Sequence, residues 1–273
     1  MKKEDLRIGS IPVGCEAPLF LIAGPCVIED LDNCLDIAEQ LIAIRSATDV
    51  PVIFKASFDK ANRSSISSYR GPGLEKGLEI LAAVRDKAKL PIVTDIHETA
   101  QAGPVGAVVD CLQIPAFLCR QTDLLCACAE TGKPINVKKG QFLSPEEMTN
   151  VVDKIRACHN EQILLTERGT FFGYKRLVND MTAIPAMKNL GCPVVFDATH
   201  STQQPGGLGH ISAGRPDMAP VLAKAAVAAG ANGLFLEVHP RPAEAKSDAA
   251  CIMPIEWVEG LLRVCKKIKA SLA

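Results

Sequence analysis

Residues 51–65, PVIFKASFDKANRSS, join a short apolar run to a dense polar cluster. The apolar run, Val52–Phe54, is typical of a buried strand. Two lysines, an arginine, an asparagine and three serines follow from the point where the strand should end. These side chains, together with free backbone N–H groups, are suited to holding a phosphorylated ligand. A solvated, turn-rich loop has a similar composition, so the rest of the chain must decide between the two interpretations.

The same order of apolar run, polar loop and amphipathic helix repeats to the end of the chain. The runs are nearly continuous in apolar residues, which is typical of parallel strands covered by helices on their outer face. The predicted strands are Leu19–Cys26, Val52–Ala56, Ile92–His97, Cys111–Pro115, Ile135–Lys139, Ile163–Thr166, Val194–Thr199 and Gly233–Val238.

Helical patterns, with apolar residues three and four positions apart, lie between these runs. Ser144 and Pro145 are good candidates for the N-cap and the first residue of one helix. Thr99–Val109 is interrupted by Gly and Pro and predicts only a short helix. The other predicted helices are Leu31–Ser46, Leu74–Lys87, Gln121–Glu130, Pro145–His159, Asp180–Leu190, Met218–Ala229 and Ile255–Ser271.

Eight such β-then-α units in about 250 residues predict a (β/α)8 TIM barrel. We expect one domain over residues 1–273, in which residues 1–18 are an N-terminal extension. Leu6–Val13 alternates apolar and polar residues around Gly9-Ser10 and predicts a short β-hairpin there. A doubly wound open sheet is the alternative fold. That fold usually has fewer strands and a Gly-rich dinucleotide turn, and no G-x-G-x-x-G follows the first predicted strand.

Charge and cysteine content limit the classes of function. The chain has 30 basic and 31 acidic residues, so we expect neither a nucleic-acid partner nor a membrane partner. The charged start lacks the apolar segment of a signal peptide, and we expect a cytoplasmic protein. Eleven cysteines in such a protein predict free thiols, mostly buried, and not a disulfide framework. Cys126 and Cys128 should point to different faces of a helix, which makes a shared metal site there improbable.

Functional residues of a barrel lie at the C-terminal ends of its strands, and the polar residues of this chain fall at those ends. Five cations would then crowd one rim of a barrel with no net positive charge: Lys55, Lys60, Arg63, Lys138 and Arg168. Such crowding is costly unless anions compensate it, so we expect phosphate or carboxylate ligands. The alternative is that each cation is an ordinary solvated rim charge.

A second group of strand-end residues consists of Cys26, His200, Glu237 and Asp248. The first, seventh and eighth strands of a barrel are consecutive neighbours, so one thiolate, one imidazole and two carboxylates converge on one arc of the rim. This mixed set suits a divalent transition metal. The alternative is that Cys26 is a small core residue, His200 a hydrogen-bonded histidine and the two acids partners of the lysines.

With these residues in view, the chain resembles the 3-deoxy-D-manno-octulosonate 8-phosphate synthases over essentially its whole length. KANRSS at residues 60–65 is the most specific marker, since the related synthase that opens the aromatic pathway has a KPRTS-like sequence there. The other markers are GPC (24–26), TDIH (94–97), QIPAFLCRQTDL (113–124), NVKKGQF (136–142), TERGTFFGY (166–174), FDATHS (196–201) and the segment from Glu237 to Asp248.

The resemblance implies condensation of phosphoenolpyruvate with D-arabinose 5-phosphate and water, releasing inorganic phosphate. It assigns Asp95 and His97 to the reaction centre, with His200 as a further catalytic residue. Arg120, reaching in from a neighbouring subunit of a homotetramer, and Phe117 would help to bind substrate. Phosphoenolpyruvate would be held by Lys55, Ser57, Lys60, Gln113, Lys138 and Arg168, and the sugar phosphate by Asn62, Arg63 and Ser64.

The family that this chain resembles has a metal-dependent and a metal-free branch, and the metal-free branch carries asparagine at the position of Cys26. The resemblance therefore implies the metal-dependent branch, with Zn, Fe, Mn or Co bound by Cys26, His200, Glu237 and Asp248. Three other functions stay open: the heptulosonate synthase that uses erythrose 4-phosphate, a sialic-acid-type synthase with an unphosphorylated amino sugar, and a non-catalytic phosphosugar-binding protein.

Overall fold

A short antiparallel hairpin precedes a closed barrel of eight parallel strands in the described part of the chain. In chain order the strands are β1 (Arg7–Ile8), β2 (Ile11–Pro12), β3 (Phe20–Gly24), β4 (Val52–Lys55), β5 (Ile92–Asp95), β6 (Cys111–Ile114), β7 (Ile135–Lys138), β8 (Ile163–Glu167), β9 (Thr170–Phe171), β10 (Leu177–Val178), β11 (Val194–Asp197), β12 (Gln203–Gln204), β13 (Ala213–Gly214), β14 (Gly233–His239) and β15 (Met253–Pro254). The barrel consists of β3–β8, β11 and β14, and β14 closes it by pairing with both β3 and β11. The predicted (β/α)8 barrel is confirmed.

This computed structural model describes residues 6–63, 65–171, 173, 176–204 and 213–272. Ser64, a predicted ligand of the sugar phosphate, lies outside the described residues. Within them the helices are α1 (Leu31–Thr48), α2 (Leu74–Ala88), α3 (Ala102–Val108), α4 (Thr122–Glu130), α5 (Met148–Ala157), α6 (Ala183–Lys188), α7 (Ala219–Ala228) and α8 (Val258–Ala270). Over the same residues, no helix combines the length and the apolar character that crossing a bilayer requires.

The two faces of each barrel strand are both buried, because one faces the barrel interior and the other faces the helices. On β3, Phe20 and Ile22 belong to the interior cluster, whereas Leu21 and Ala23 pack with the helix-side core. Burial on both faces accounts for the nearly unbroken apolar runs in the sequence.

The N-terminal hairpin closes the bottom of the barrel. β1 and β2 pair antiparallel, with Ile8 opposite Ile11, as the alternation predicts. Both isoleucines belong to the same buried cluster as Phe20 and Phe235, so the hairpin completes the interior core from below. Gly9 has φ of 55°, and a Cβ there would lie 2.9 Å from the ring of Pro91, so the turn requires glycine.

Helices α5 and α6 each begin three residues later and end two residues earlier than predicted. Ser144 and Glu147 exchange the expected capping hydrogen bonds, of 2.8 and 3.3 Å, but the residues between them form a turn and α5 begins only at Met148. Before α6, the Asp180 carboxylate accepts the Thr182 N–H at 2.9 Å. This local bond holds a turn where the apolar pattern alone predicts a helix.

The prediction that all cysteines are free thiols is wrong for one pair. Cys126 of α4 and Cys158, just after α5, form a disulfide with their Cα atoms 5.7 Å apart. The helices α4 and α5 are neighbours on the outside of the barrel, which brings together two residues separated by 32 positions. Cys128 is buried on another face of α4, as its spacing from Cys126 predicts.

Candidate active site

The inward-facing residues of the barrel change from apolar to polar near the C-terminal ends of the strands. Side chains two positions apart on a strand share a face, so each residue that follows an interior apolar residue by two also points inward. Ile53 and Phe235, for example, belong to the apolar interior cluster. The polar residues placed by this step are Lys55, Asp95, Gln113, Thr166, Asp197 and Glu237, all of them buried.

Lys55 lies at the centre of the polar end of the barrel. Its Nζ donates to the Ser57 hydroxyl at 2.8 Å and lies 3.2 Å from Glu237 Oε1 and 3.3 Å from Asp95 Oδ2. Gly24, on the neighbouring strand β3, lets the backbone of Lys55 lie close to it, since a Cβ at Gly24 would clash with the backbone carbonyl oxygen of Lys55. The cation is therefore fixed between two carboxylates and a hydroxyl.

Both carboxylates stay ionised although they are buried. Burial alone would raise the pKa of Asp95, but Lys55 and Lys60 hold that pKa well below its usual value. Burial would likewise raise the pKa of Glu237, and nearby cations, Lys60 first among them, hold it well below its usual value. The crowding of cations predicted from the sequence is thus compensated in part by the barrel's own carboxylates.

A chain of buried hydrogen bonds crosses the barrel next to Lys55. The Ser57 hydroxyl and the Gln113 amide both donate to Asp95. Asn136 donates to Gln113 Oε1 at 3.0 Å, and the Thr166 hydroxyl donates to Asn136 Oδ1 at 2.6 Å. This chain of five residues fixes the orientation of the Gln113 and Asn136 amides and of the hydroxyls of Ser57 and Thr166 at its two ends.

Lys138 and His200 converge on the carboxylate of Asp197. Lys138 Nζ donates to Asp197 Oδ2 at 2.6 Å and lies 3.7 Å from the centre of the Phe235 ring. Burial lowers the pKa of Lys138 in spite of this partner. His200 Nδ1 lies 2.7 Å from Asp197 Oδ2, and its Nε2 lies 3.5 Å from Glu237 Oε2. Asp197 Oδ2 therefore lies beside Nδ1, which is buried and makes no hydrogen bond of good geometry among the described residues, while Nε2 faces Glu237.

Arg168 follows β8 and is 6% exposed. Its Nη2 donates to Gln203 Oε1 at 2.8 Å, whereas Nη1 is buried without a hydrogen-bond partner among the described residues. A buried guanidinium with an unsatisfied donor is costly unless an anion completes it. Arg168 is therefore ready to receive a carboxylate or phosphate.

Three of the four predicted metal ligands form one cluster. One ligand atom each from Cys26, Glu237 and Asp248 lies within 4.8 Å of the other two. The Cys26 thiol donates to Asp248 Oδ2 at 3.1 Å. Asp248 has φ of 50°, a left-handed conformation held by the N–H groups of Cys251 and Ile252, which donate to its carbonyl. His200 reaches the cluster through Glu237.

These residues fit a divalent transition metal. Glu237 belongs to the cluster, and its Oε2 is buried without a hydrogen-bond partner among the described residues. Burial first, and then the charge of Glu237, raises the pKa of the Cys26 thiol well above its usual value. A cation that replaced the thiol proton would remove both the orphaned acceptor and the repulsion between these groups.

Comparison with known proteins identifies the family. The family model of the DAHP synthetase I family matches residues 2–273. This chain belongs to the DAHP synthetase I family. Three curated relatives carry the name 2-dehydro-3-deoxyphosphooctonate aldolase. They come from Syntrophotalea carbinolica (52% identity, 98% of this chain and 96% of the relative), Geobacter metallireducens (52%, 97% and 98%) and Desulfosudis oleivorans (53%, 98% and 96%). That name denotes the octulosonate phosphate synthases, so the resemblance seen in the sequence is confirmed.

The remaining predicted residues of this DAHP synthetase I family member lie farther out on the rim. Arg63 donates through Nε to the Tyr69 carbonyl at 3.2 Å and through Nη2 to Ser247. Asn62 and Arg120 are exposed, and Phe117 is 50% exposed with its ring 6.3 Å from that of Phe171. The structure therefore separates two sets of predicted residues. The inner set is mostly buried and consists of Lys55, Ser57, Lys60, Gln113, Lys138 and Arg168. The outer set is exposed or partly buried and consists of Asn62, Arg63, Phe117 and Arg120.

His97 lies between these two sets. Its ring packs edge-on against Phe58, with the ring centres 5.9 Å apart. Burial lowers the pKa of His97. Its Nδ1 is buried and has no hydrogen-bond partner among the described residues.

Sequence reasoning assigned no role to four residues that hold this site together: Asn136, Thr166, Asp197 and Ser247. Ser247 Oγ lies 2.9 Å from Cys26 Sγ and also accepts a hydrogen bond from Arg63. It thereby links the cysteine cluster to the outer set. The alternation of inward and outward positions was a signal for Thr166 and Asp197, whereas nothing in the sequence pointed to the contacts of Ser247.

Proposed function

We propose that this protein is a 3-deoxy-D-manno-octulosonate 8-phosphate synthase, which condenses phosphoenolpyruvate with D-arabinose 5-phosphate and water and releases inorganic phosphate. The observation that carries the proposal is the identity of 52–53% to 2-dehydro-3-deoxyphosphooctonate aldolases over nearly the whole chain. The geometry agrees with it, because buried cations with an unsatisfied donor gather at one end of the barrel.

The cations of the inner set bind phosphoenolpyruvate in this proposal. Arg168 Nη1 and the ammonium of Lys138 offer charge in a buried setting, where charge-assisted hydrogen bonds are strong. The full set is Lys55, Ser57, Lys60, Gln113, Lys138 and Arg168. Holding two anionic substrates among fixed cations offsets their mutual repulsion and replaces a chance encounter with a defined geometry.

The outer set binds the sugar phosphate. Arg63 is held by the Tyr69 carbonyl and by Ser247, so its guanidinium is already oriented. The predicted set is Asn62, Arg63 and Ser64, helped by Phe117 and Arg120. We propose that Arg120 reaches the site of a neighbouring subunit in a homotetramer, since its side chain is exposed and lies at the rim. Sedimentation equilibrium would give the mass of four chains, and a monomer mass would contradict this part.

Two imidazoles lie close to the buried carboxylates. His200 Nδ1 lies 2.7 Å from Asp197 Oδ2, and its Nε2 lies 3.5 Å from Glu237 Oε2. The lowered pKa of His97 leaves that ring neutral near physiological pH, and its unpartnered Nδ1 can hold or pass a proton beside Asp95. The reaction centre thus has charged groups for binding and a neutral imidazole for proton movement.

We propose that Cys26, His200, Glu237 and Asp248 bind a divalent transition metal, Zn, Fe, Mn or Co. Three observations support this assignment: the cluster of Cys26, Glu237 and Asp248, the buried Glu237 Oε2 without a hydrogen-bond partner among the described residues, and the distance of 3.5 Å from that oxygen to His200 Nε2. When bound, the metal supplies Lewis acidity at this arc of the rim. We also propose a cytoplasmic location, which the free thiols Cys34, Cys111 and Cys265 support because free cysteines are typical of reducing compartments; the Cys126–Cys158 disulfide is the exception.

Phosphate release with different aldehydes tests the function. The purified protein is incubated with phosphoenolpyruvate and one aldehyde at a time: D-arabinose 5-phosphate, erythrose 4-phosphate or an unphosphorylated amino sugar. We expect rapid release with arabinose 5-phosphate alone. Faster release with erythrose 4-phosphate would favour the heptulosonate synthase, and no release with any aldehyde would favour a binding protein.

A further inference from the structure

Lys139 is a fully buried lysine for which the proposed reaction has no use. It follows Lys138, whose side chain points into the barrel, and its own side chain points the other way. Its Nζ donates to the carbonyls of Gly140 and Leu143 at 3.4 and 3.1 Å, and to the Thr170 hydroxyl at 3.3 Å. The side chain is 1% exposed, so this cation is held wholly by protein groups.

The fourth partner of Lys139 is the carboxylate of Glu167. Lys139 Nζ lies 3.5 Å from Glu167 Oε2, and the glutamate side chain is 2% exposed. Glu167 Oε1 accepts the backbone N–H of Arg168 at 2.9 Å and that of Gly169 at 2.6 Å. The carboxylate therefore caps the turn that carries Arg168, and Gly169 completes this turn with φ of 92°.

The ion pair between Lys139 and Glu167 also affects which groups the guanidinium of Arg168 can bind. Asp197 first, and then the adjacent Glu167, act on the guanidinium of Arg168 electrostatically. Lys139 balances the charge of Glu167, while the guanidinium donates to Gln203 through Nη2 and keeps Nη1 for an incoming anion. A buried carboxylate that lost its lysine would act more strongly on the guanidinium of the adjacent Arg168.

We propose that Lys139 and Glu167 are positioning residues that hold Arg168 in its orientation for phosphoenolpyruvate. Lys139 fixes the carboxylate, the carboxylate fixes the Arg168–Gly169 turn, and the turn presents the guanidinium. Lys139 also ties the 140–143 loop to Thr170, so two neighbouring strand-end loops are fixed by one ammonium. This inference rests on the proposed role of Arg168 in binding phosphoenolpyruvate.

The first test is Lys139→Met, which keeps much of the volume and removes the charge. We expect the Kd for phosphoenolpyruvate, measured by calorimetry without sugar, and the KM for phosphoenolpyruvate to rise by about tenfold or more, the effect of losing one hydrogen bond to a charged group. The KM for arabinose 5-phosphate should change by less than about twofold. Equal changes in both KM values would overturn the proposal.

The second test separates positioning from packing. Glu167→Gln keeps a carbonyl oxygen for the two N–H groups and removes the charge that Lys139 balances. The double variant Lys139→Met/Glu167→Gln should therefore bind phosphoenolpyruvate several-fold more tightly than Lys139→Met alone. A double variant as weak as Lys139→Met, or weaker, would overturn the proposal, since lost packing cannot be restored by a second neutral residue.

The matched control is Lys188→Met. Lys188 also donates to a backbone carbonyl, that of Gly230 at 3.1 Å, but at the opposite end of the barrel. It should lower the Tm without changing either KM. If the wild-type protein binds phosphoenolpyruvate but does not react with arabinose 5-phosphate, the proposed function is contradicted and the role of Lys139 is not. If the wild-type protein is active and Lys139→Met leaves the Kd and KM for phosphoenolpyruvate unchanged, only the role of Lys139 is contradicted.

Discussion

Among single residues, Asp197 contacts both Lys138, a predicted substrate-binding cation, and His200, a predicted metal ligand. One carboxylate oxygen, Oδ2, accepts from Lys138 at 2.6 Å and lies 2.7 Å from His200 Nδ1, while Oδ1 accepts the His200 backbone N–H at 2.9 Å. The imidazole therefore has Asp197 beside one ring nitrogen and Glu237 beside the other. A carboxylate behind a ligating histidine raises the affinity of the site for its metal.

Asp197→Asn should weaken metal binding. The amide removes the negative charge that lies 2.7 Å from His200 Nδ1, so we expect the metal affinity to fall by about 10- to 100-fold. Titration against a competing chelator measures this affinity without turnover. Asp217→Asn is the control, since Asp217 is exposed and pairs with Arg215 on the surface. Equal affinities in wild type and Asp197→Asn would contradict the assigned role.

Asp95 makes stability depend on pH in a defined direction. Its pKa in the folded protein is held well below the usual value by Lys55 and Lys60, against the effect of burial. A depressed pKa stabilises the fold above the unfolded-state pKa of about 3.9, and this stabilisation is lost as the pH falls toward the folded-state pKa.

The comparison with Asp95→Asn isolates this contribution. The difference in free energy of unfolding between wild type and variant should be constant near neutral pH and should shrink below about pH 4. Urea unfolding at a series of pH values measures it. A difference that stays constant, or grows as the pH falls, would show that Asp95 is not held ionised in the fold.

Several residues of the site could be predicted individually because a strand-end position is visible in the sequence. Lys55, Asp95 and Glu237 each follow an apolar run, and the structure brings them together. Asn136 could not be predicted in this way, because its place in the chain of hydrogen bonds depends on its contact with the Gln113 amide on the neighbouring strand β6. That contact is set by the register between β6 and β7.

At the scale of elements, the apolar pattern located every barrel strand but placed some helix ends wrongly. The spacing of apolar residues shows which face of a segment is buried. A turn that precedes a helix can bury the same apolar residues, so the spacing does not show where the helix begins. Asp180 and Ser144 illustrate this point, since their side chains bond to nearby N–H groups ahead of α6 and α5. Competition from such local bonds is not visible in periodicity.

The disulfide between α4 and α5 is the clearest element-scale departure from expectation. Cys126 and Cys158 close a loop of 32 residues, and a bridge of that kind typically stabilises a fold by about 2–4 kcal/mol. A reducing agent should therefore lower the Tm of wild type and leave the Tm of Cys126→Ser unchanged. Mass spectrometry after alkylation reports the state of the thiols. A wild-type Tm that does not respond to reduction would contradict a stabilising bridge.

At the scale of the whole molecule, closure of the barrel explains why residues from distant segments act together. Cys26 and Asp248 are 222 positions apart, yet their side chains are hydrogen-bonded at 3.1 Å. The sequence predicted this convergence once the number of strands was known, because the first and last strands of a closed barrel are neighbours. The distances, and the choice of Lys55 and Lys60 as partners of Glu237, required the structure.

We propose that one rim of the barrel holds two anionic substrates and one divalent metal for a single condensation. The most direct test is to measure product from phosphoenolpyruvate and arabinose 5-phosphate by mass spectrometry, with protein as purified, stripped by chelator and reloaded with Zn, Fe, Mn or Co. Cys26→Ser serves as the variant that should neither retain metal nor recover. We predict one octulosonate phosphate and one phosphate per phosphoenolpyruvate, loss of product on stripping and recovery on reloading. Full activity of the metal-free protein, or no eight-carbon product under any condition, would contradict the account.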